Sequence, residues 1–175
     1  IAPGSAADIR DRIWEHSVNT AVGSRWLADK LSLAWSEEAF VCGLLHDCGR
    51  FLLLARQPHA YVALSEPGQP LPSNTEERKV LGVDHQELGS ALLQRWNQAP
   101  QIIEVVGDHH EDNPQGRHAQ LVSVVALVDR IVEDGVRQEA YVAAELLGVP
   151  SGSLGDLRHE LMKVAHEQRN ELLSL

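Results

Sequence analysis

The apolar run Phe40-Val41-Cys42-Gly43-Leu44-Leu45 ends in His46-Asp47, an imidazole beside a carboxylate at the close of a segment built for burial. Burying either group without a partner is costly, so the chain must bring partners to both. That need constrains the fold, because distant polar residues have to meet at one point in the interior. A divalent cation is one natural partner, since it accepts neutral imidazole nitrogen and carboxylate oxygen together. Candidate ligands stand at domain-scale spacing on both sides, His16 upstream and His85, His109, His110 and Asp129 downstream.

Apolar residues recur at helical spacing and no convincing period-two alternation interrupts them, so the expected fold class is all-α, a helical bundle. Ser5 with Asp8 reads as a capping box for a long first helix, whose inward stripe is Ile9, Ile13, His16, Thr20, Leu27 and Leu31. Ser36 ahead of Glu37-Glu38 is the expected cap of a second helix that reaches His46-Asp47, with Gly49 breaking or bending it. Phe51 to Leu54 supply the next helical turns, and Glu66-Pro67-Gly68-Gln69-Pro70-Leu71-Pro72 is a loop. A short helix from Asn74 to Val80 precedes one capped by Asp84 and Glu87, with the face His85, Leu88, Leu92 and Trp96. Pro100 opens a helix ending at His109-His110, and Glu111 to Gly116 form a polar turn. Leu121, Val125, Val128 and Val132 mark the stripe of a long helix that carries Asp129. A weaker helix around Tyr141 to Leu147 follows, then Pro150-Ser151-Gly152, then an amphipathic segment from Leu154 to Leu175 with Leu157, Leu161, Val164 and Leu172.

A chain of 175 residues fits one domain with a sizeable core. Fifteen Lys and Arg against 25 Asp and Glu leave a formal charge of -10, which argues against non-specific nucleic-acid binding. No apolar stretch reaches the length of a membrane span and no basic-then-apolar leader opens the chain, so no membrane partner is expected. The first residue is Ile1 rather than Met, which suggests a piece of a longer protein. Cys42 and Cys48 form neither a disulfide framework nor a Cys-x-x-Cys pair, and read as small buried residues in a reducing cytoplasm.

Taken singly, each candidate ligand has a plainer reading. An inward histidine is commonly a hydrogen-bonded core residue, and Asp129 can cap or pair. Together, with a His-Asp and a His-His pair among them, they read as a metal site. His59, His118, His159 and His166 lie outside the pattern and default to solvated faces, with His118 alone close enough in sequence to line the mouth of such a site. Trp14, Trp26, Trp35 and Trp96 fall on helices as core or interface residues.

The series His16, His46-Asp47, Asp129 resembles the metal-binding signature of the HD superfamily of phosphohydrolases, in which four such residues hold a divalent metal in a helical bundle. His85 and His109-His110 resemble the binuclear branch, where added histidines hold a second metal and the Asp of the pair bridges both. Trp14-Glu15-His16-Ser17, Ala39 to Arg50, Leu81 to Gly89 and His109-His110 are similar to an HDOD domain, the HD-related output domain of bacterial signalling proteins, over about Asp8 to Gly135. The resemblance implies a bundle of HD-domain type over residues 1–150, without the further helical half that usually precedes the first ligand helix, and a C-terminal amphipathic helix over 151–175. The relatives that hydrolyse cyclic-di-GMP continue after His-His with a Gly-Tyr-Pro loop. This chain has Glu111-Asp112-Asn113-Pro114-Gln115-Gly116-Arg117 there, so that route is not implied.

By the same resemblance, His16, His46, Asp47 and Asp129 take one metal, and His85, His109 and His110 complete a second that Asp47 bridges. One or two ions of iron, manganese, nickel or zinc suit such a donor set. Asp47 and Arg50 are the expected catalytic residues. Arg50 either grips phosphate oxygens or is a surface arginine paired with an acid. Two functions stay open: hydrolysis of a phosphate-containing small molecule such as a nucleotide or cyclic nucleotide, and a non-catalytic signalling output that binds a protein partner. An upstream sensory or receiver domain is the expected companion of either. The terminal helix either packs on the bundle or pairs with a second copy as a homodimer.

Overall fold

A computed structural model describes residues 4–134 and 138–173; Gly135, Leu175 and the side chain of Leu172 lie outside that description. Ten α-helices and one short 3-10 turn (Ser151–Ser153) make up the regular structure, with no strand among the described residues. No described helix is long and apolar enough to cross a membrane.

The first helix, α1 (Ala6–Lys30), starts at Ser5, whose side chain accepts the N–H of Asp8 at 3.1 Å. The Asp8 carboxylate returns to the N–H of Gly4 at 3.3 Å rather than to Ser5, so the expected capping box closes one residue early. Helix α2 (Ser36–Leu45) begins with Ser36 as its first turn, not its cap; Trp35 holds the cap position without a side-chain bond. It stops at Leu45, and α3 (Cys48–Arg56) starts three residues later. The chain therefore bends at His46-Asp47 itself, and Gly49 lies inside α3 instead of breaking a helix.

What Gly49 does is let two backbones touch. A Cβ there would lie 2.0 Å from the carbonyl oxygen of His85, the first residue of α6 (His85–Arg95). Gly89, one turn along α6, meets the same seam: its Cβ would stand 3.2 Å from the backbone nitrogen of Gly49 and from Cys48 Sγ. This contact turns α6 relative to expectation. Its buried residues are His85, Gln86, Gly89 and Leu93; Leu88 and Leu92 are only half-buried, and Trp96 is 61% exposed.

Between α3 and α6 run α4 (Pro58–Leu64), a loop over 65–73, and α5 (Asn74–Leu81), which opens on a full capping box of Ser73 and Glu76. Next, α7 (Pro100–Asp108) leads to α8 (Ala119–Asp134). Every residue of α8 from Leu121 to Asp129 is buried, so it is the central helix of the bundle and not a one-sided amphipathic one. Finally come α9 (Gln138–Leu146) and α10 (Leu154–Leu173); α10 packs along α1. Leu154, Leu157 and Leu161 of α10 join Val124, Leu127 and Val128 of α8 in the larger of two apolar clusters. The smaller cluster gathers Ile9 and Ile13 with Leu53, Leu54, Tyr61 and Leu81. Along α1, His16 and Thr20 fall between the residues given to each cluster, and that gap is where the polar centre lies. Trp26 and Trp35 pack on the larger cluster, whereas Trp14 is 49% exposed and, like Trp96, not a core residue.

Adding one methyl group at the α3–α6 seam should be severe. Gly49→Ala is expected to cost about 3 kcal/mol or more, because the obstructing atom is backbone and cannot rotate away. Gly152→Ala, with nothing within 4 Å, should stay within roughly 0.5 kcal/mol of the parent chain. Denaturant unfolding of the two variants measures the contrast.

Candidate metal centre

Five stretches of chain deliver the centre. His16 comes from the middle of α1 and Asp129 from α8; His46-Asp47 occupy the bend between α2 and α3; His85 opens α6; His109-His110 follow α7. All seven residues singled out in the sequence therefore converge. Six are buried, with His46, His85 and His109 at 0% exposure, and only His110 is half-buried.

The seven divide into two groups that share Asp47. On one side His16 Nε2 lies 3.1 Å from His46 Nε2 and 2.9 Å from Asp129 Oδ1, and Asp47 Oδ2 stands 3.7 and 3.5 Å from the two imidazoles. On the other side His85 Nε2 lies 3.4 Å from His109 Nε2 and 3.2 Å from His110 Nε2. Asp47 Oδ1 faces this second group, 3.3 Å from His85 Nε2 and 3.7 Å from His109 Nε2. His16, His46 and Asp47 bring donor atoms within 4.8 Å of one another, as do His85, His109 and His110, the spacing that surrounds a single cation; Asp129 reaches across, meeting the same limit with His46 and His109.

The hydrogen bonds around the rings decide what their inner nitrogens are. His46 Nδ1 donates to the Gly43 carbonyl at 2.7 Å, and His109 Nδ1 to those of Val105 and Val106 at 3.2 Å. His85 Nδ1 faces Glu77 Oε2 at 2.7 Å. A carbonyl can only accept, so in the neutral ring the proton is on Nδ1 and the inward Nε2 carries a lone pair. Several lone pairs pointed at each other, with Asp47 Oδ1 and Asp129 Oδ2 buried and accepting no hydrogen bond, form a set of acceptors lacking a donor. A cation fits that set, and outer acceptors on the far ring nitrogens are the usual way such ligands are oriented.

The carboxylates concentrate negative charge at the centre, which draws either a proton onto His46 or a cation between the rings. Burial opposes ionisation of Asp47, yet Arg50, His46 and His85 outweigh it and hold the carboxyl well below its usual range. Asp129 is likewise held low against burial, by His16 and His46. Burial works against a charge on His46, but Asp47 and Asp129 raise it to about 9. Burial and Arg50 hold His85 well below the ordinary histidine value, as burial and His109 do for His110, so both rings are neutral and able to donate.

Arg50 departs from the surface reading and is held by the protein through Nε and Nη1. It is 2% exposed and so not a surface arginine, and its grip is on the protein. Nε donates to Asp47 Oδ2 at 2.6 Å; Nη1 donates to the Pro72 carbonyl at 2.6 Å and to Glu77 Oε1 at 3.0 Å. Only Nη2 has no protein partner among the described residues, and Arg50 lines the adjoining cavity. Glu77 was not foreseen. It is fully buried and collects Arg50, the Tyr61 hydroxyl at 3.1 Å, and both the N–H and the Nδ1 of His85, while burial pushes it up to about 7 against the pull of Arg50. The only hint in the sequence is a second glutamate after the Ser73–Glu76 box, which looks like a solvated helix start.

Glu133 was also missed. It lies one turn beyond Asp129 on α8, close enough to share a donor group with His16 and Asp129, and its Oε1 accepts the Leu71 N–H at 3.0 Å. That bond, the Arg50–Pro72 contact, and Arg12 reaching the carbonyls of Glu66 and Gln69 fasten the 65–73 loop beside the centre. His118 does not join the site; its Nδ1 pairs with Glu104 Oε2 at 2.8 Å. The cysteines are unpaired and supply no donor to the centre among the described residues.

A helical bundle whose interior gathers histidine and aspartate donors from five segments defines a class: domains of the HD type. Residues 2–112, more than half of the chain, match the HDOD domain, and the chain belongs to that family. It is 26% identical over 132 residues to an uncharacterised protein of Treponema pallidum, across 73% of this chain and 26% of that one, so it spans about a quarter of that relative. Among solved structures it resembles an HDOD domain protein from Geobacter sulfurreducens, with a TM-score of 0.60 and 20% identity over 87% of this chain and 62% of that one. It also resembles a presumptive phosphohydrolase from Shewanella amazonensis, with a TM-score of 0.62 and 25% identity over 86% and 58% of the two chains.

Removing Glu77 should reveal how much the outer bonds matter. Glu77→Ala leaves the Arg50 charge and two His85 donors underused in the interior and is expected to cost about 3–5 kcal/mol. Glu133→Ala, which frees one loop N–H, should cost only about 1 kcal/mol. Urea unfolding of both variants tests the ratio.

Proposed function

We propose that this HDOD domain holds two divalent transition-metal ions in the His/Asp cluster and hydrolyses a phosphoester beside them. The observation that carries the reading is the position of Asp47, whose Oδ2 faces His16 and His46 while Oδ1 faces His85 and His109. One carboxylate set between two imidazole groups is the arrangement a pair of cations needs. His16, His46, Asp47 and Asp129 would hold one ion, and His85, His109, His110 and the other oxygen of Asp47 the second. Imidazole-rich donors with a shared carboxylate suit iron, manganese, nickel or zinc. Bound there, such ions would make water acidic enough to attack near neutral pH and draw charge from the phosphoryl oxygens.

The chain's own residues supply position and charge. Arg50 Nε holds Asp47 in the orientation that divides its oxygens, and Glu77 fixes the ring of His85 through Nδ1. Arg50 Nη2, at the cavity wall, is the protein group available to a phosphate oxygen. The same commitment of Arg50 to Asp47, Glu77 and Pro72 favours a second reading, a signalling output that keeps the metals for structure or sensing and serves an upstream sensory or receiver segment.

Elemental analysis and turnover together decide. The purified chain is expected to hold about two ions, Asp47→Ala to lose most of both, and His110→Ala to keep about one. Metal-replete protein should hydrolyse at least one member of a panel of nucleotides, cyclic nucleotides and phosphomonoesters, with activity falling at least about 100-fold in Asp47→Ala. Two bound ions with an inert panel would favour the output reading, and a parent chain without metal would remove both.

A further inference from the structure

The cavity beside the cluster has walls of opposite sign to its floor. It encloses about 770 Å³, within the range of small-molecule sites, and Arg50 and His110 form its edge toward the centre. Its remaining charged lining is acidic: Glu66, Glu76, Glu111 and Glu133. Arg50 is the one Lys or Arg side chain on it among the described residues. Glu66, Glu76 and Glu111 are exposed, and hydrogen bonds from Ser73 hold Glu76 below its ordinary value, so it is ionised at neutral pH; burial and Asp129 hold Glu133 above its own. A ligand reaching the centre therefore passes carboxylates before it meets positive charge.

We infer that this site selects phosphoesters carrying a single phosphoryl group on a neutral or cationic remainder, and rejects those with a second anionic group that must lie along the walls. The inference rests on the phosphoester reading above and adds to it the class of substrate. The physical basis is Coulombic. The phosphoryl group finds Arg50 and the centre, while a second negative charge a few ångströms outward faces carboxylates with no cation between them. Because three of the four are exposed, salt should weaken the selection over distances near the roughly 10 Å screening length at 0.1 M.

The test uses phosphonates, whose P–C bond cannot be hydrolysed, so that affinity is read whether or not the protein turns over. Benzylphosphonates bearing a para-aminomethyl, para-methyl or para-sulfonate group differ only in remote charge, and the ring keeps that charge away from the metals. Calorimetry on the metal-loaded chain at low ionic strength should rank them cationic, neutral, anionic, with at least about a tenfold span. The span should shrink in 0.5 M salt (roughly a 4 Å screening length) and in the Glu66→Gln/Glu111→Gln double variant, both exposed positions outside the donor cluster. The sulfonate binding as tightly as the aminomethyl compound would overturn the inference and leave the phosphoester reading standing. Failure of all three and of orthophosphate to bind would overturn that reading, and the inference with it.

Discussion

The buried carboxylate of Asp47 is the constraint around which the rest of the fold is arranged. It lies at a bend between two helices, 1% exposed, with each oxygen turned to a different group of imidazoles. An ionised carboxylate in that position needs compensating charge from every direction. Arg50, one turn later on α3, supplies the first part, and it is in turn balanced by Glu77 from α5. The chain of charge thus runs from the centre outward through two layers of buried ionic side chains, each holding the next in place.

Helix packing serves this arrangement. α3 and α6 approach so closely that glycine is needed on both sides, and this contact sets His85 against Asp47. α8 runs through the middle, buried at every position from Leu121 to Asp129, so the second carboxylate is presented from the centre of the bundle. The two apolar clusters lie to either side along α1, and the polar centre fills the gap between them.

The donors themselves were legible in the sequence because each is chemically conspicuous: histidine or aspartate on or beside an apolar segment, at spacings that local structure alone does not explain. His16 and Asp129 could be placed on inward stripes from their neighbours Ile13 and Val125. The supporting residues were not legible. Glu77 and Glu133 are glutamates on helices, a residue and a setting that nearly always mean solvent, and only the tertiary approach of Arg50, His85 and Leu71 gives them partners. Register failed for a related reason. The face of α6 was read from leucine spacing, but a glycine contact with α3 decided which side is buried, and small residues carry no hydrophobic signal. The bend at His46-Asp47 was likewise assigned to Gly49, the residue that breaks helices by habit, when here that glycine only makes room.

The loop over 65–73 is fastened by Arg12, Arg50 and Glu133, and each of them grips main-chain atoms: three carbonyl oxygens and one N–H. Such anchoring reads the path of the backbone and is blind to most side chains. Proline is barred where an N–H is in use, at Leu71 by Glu133 and at Ser65, Gln69 and Ser73 by bonds to Val62, Glu66 and Glu76. Evolution can therefore rewrite most of this segment, and with it the chemistry offered to a visiting molecule, without loosening the hinge points that hold it against the bundle.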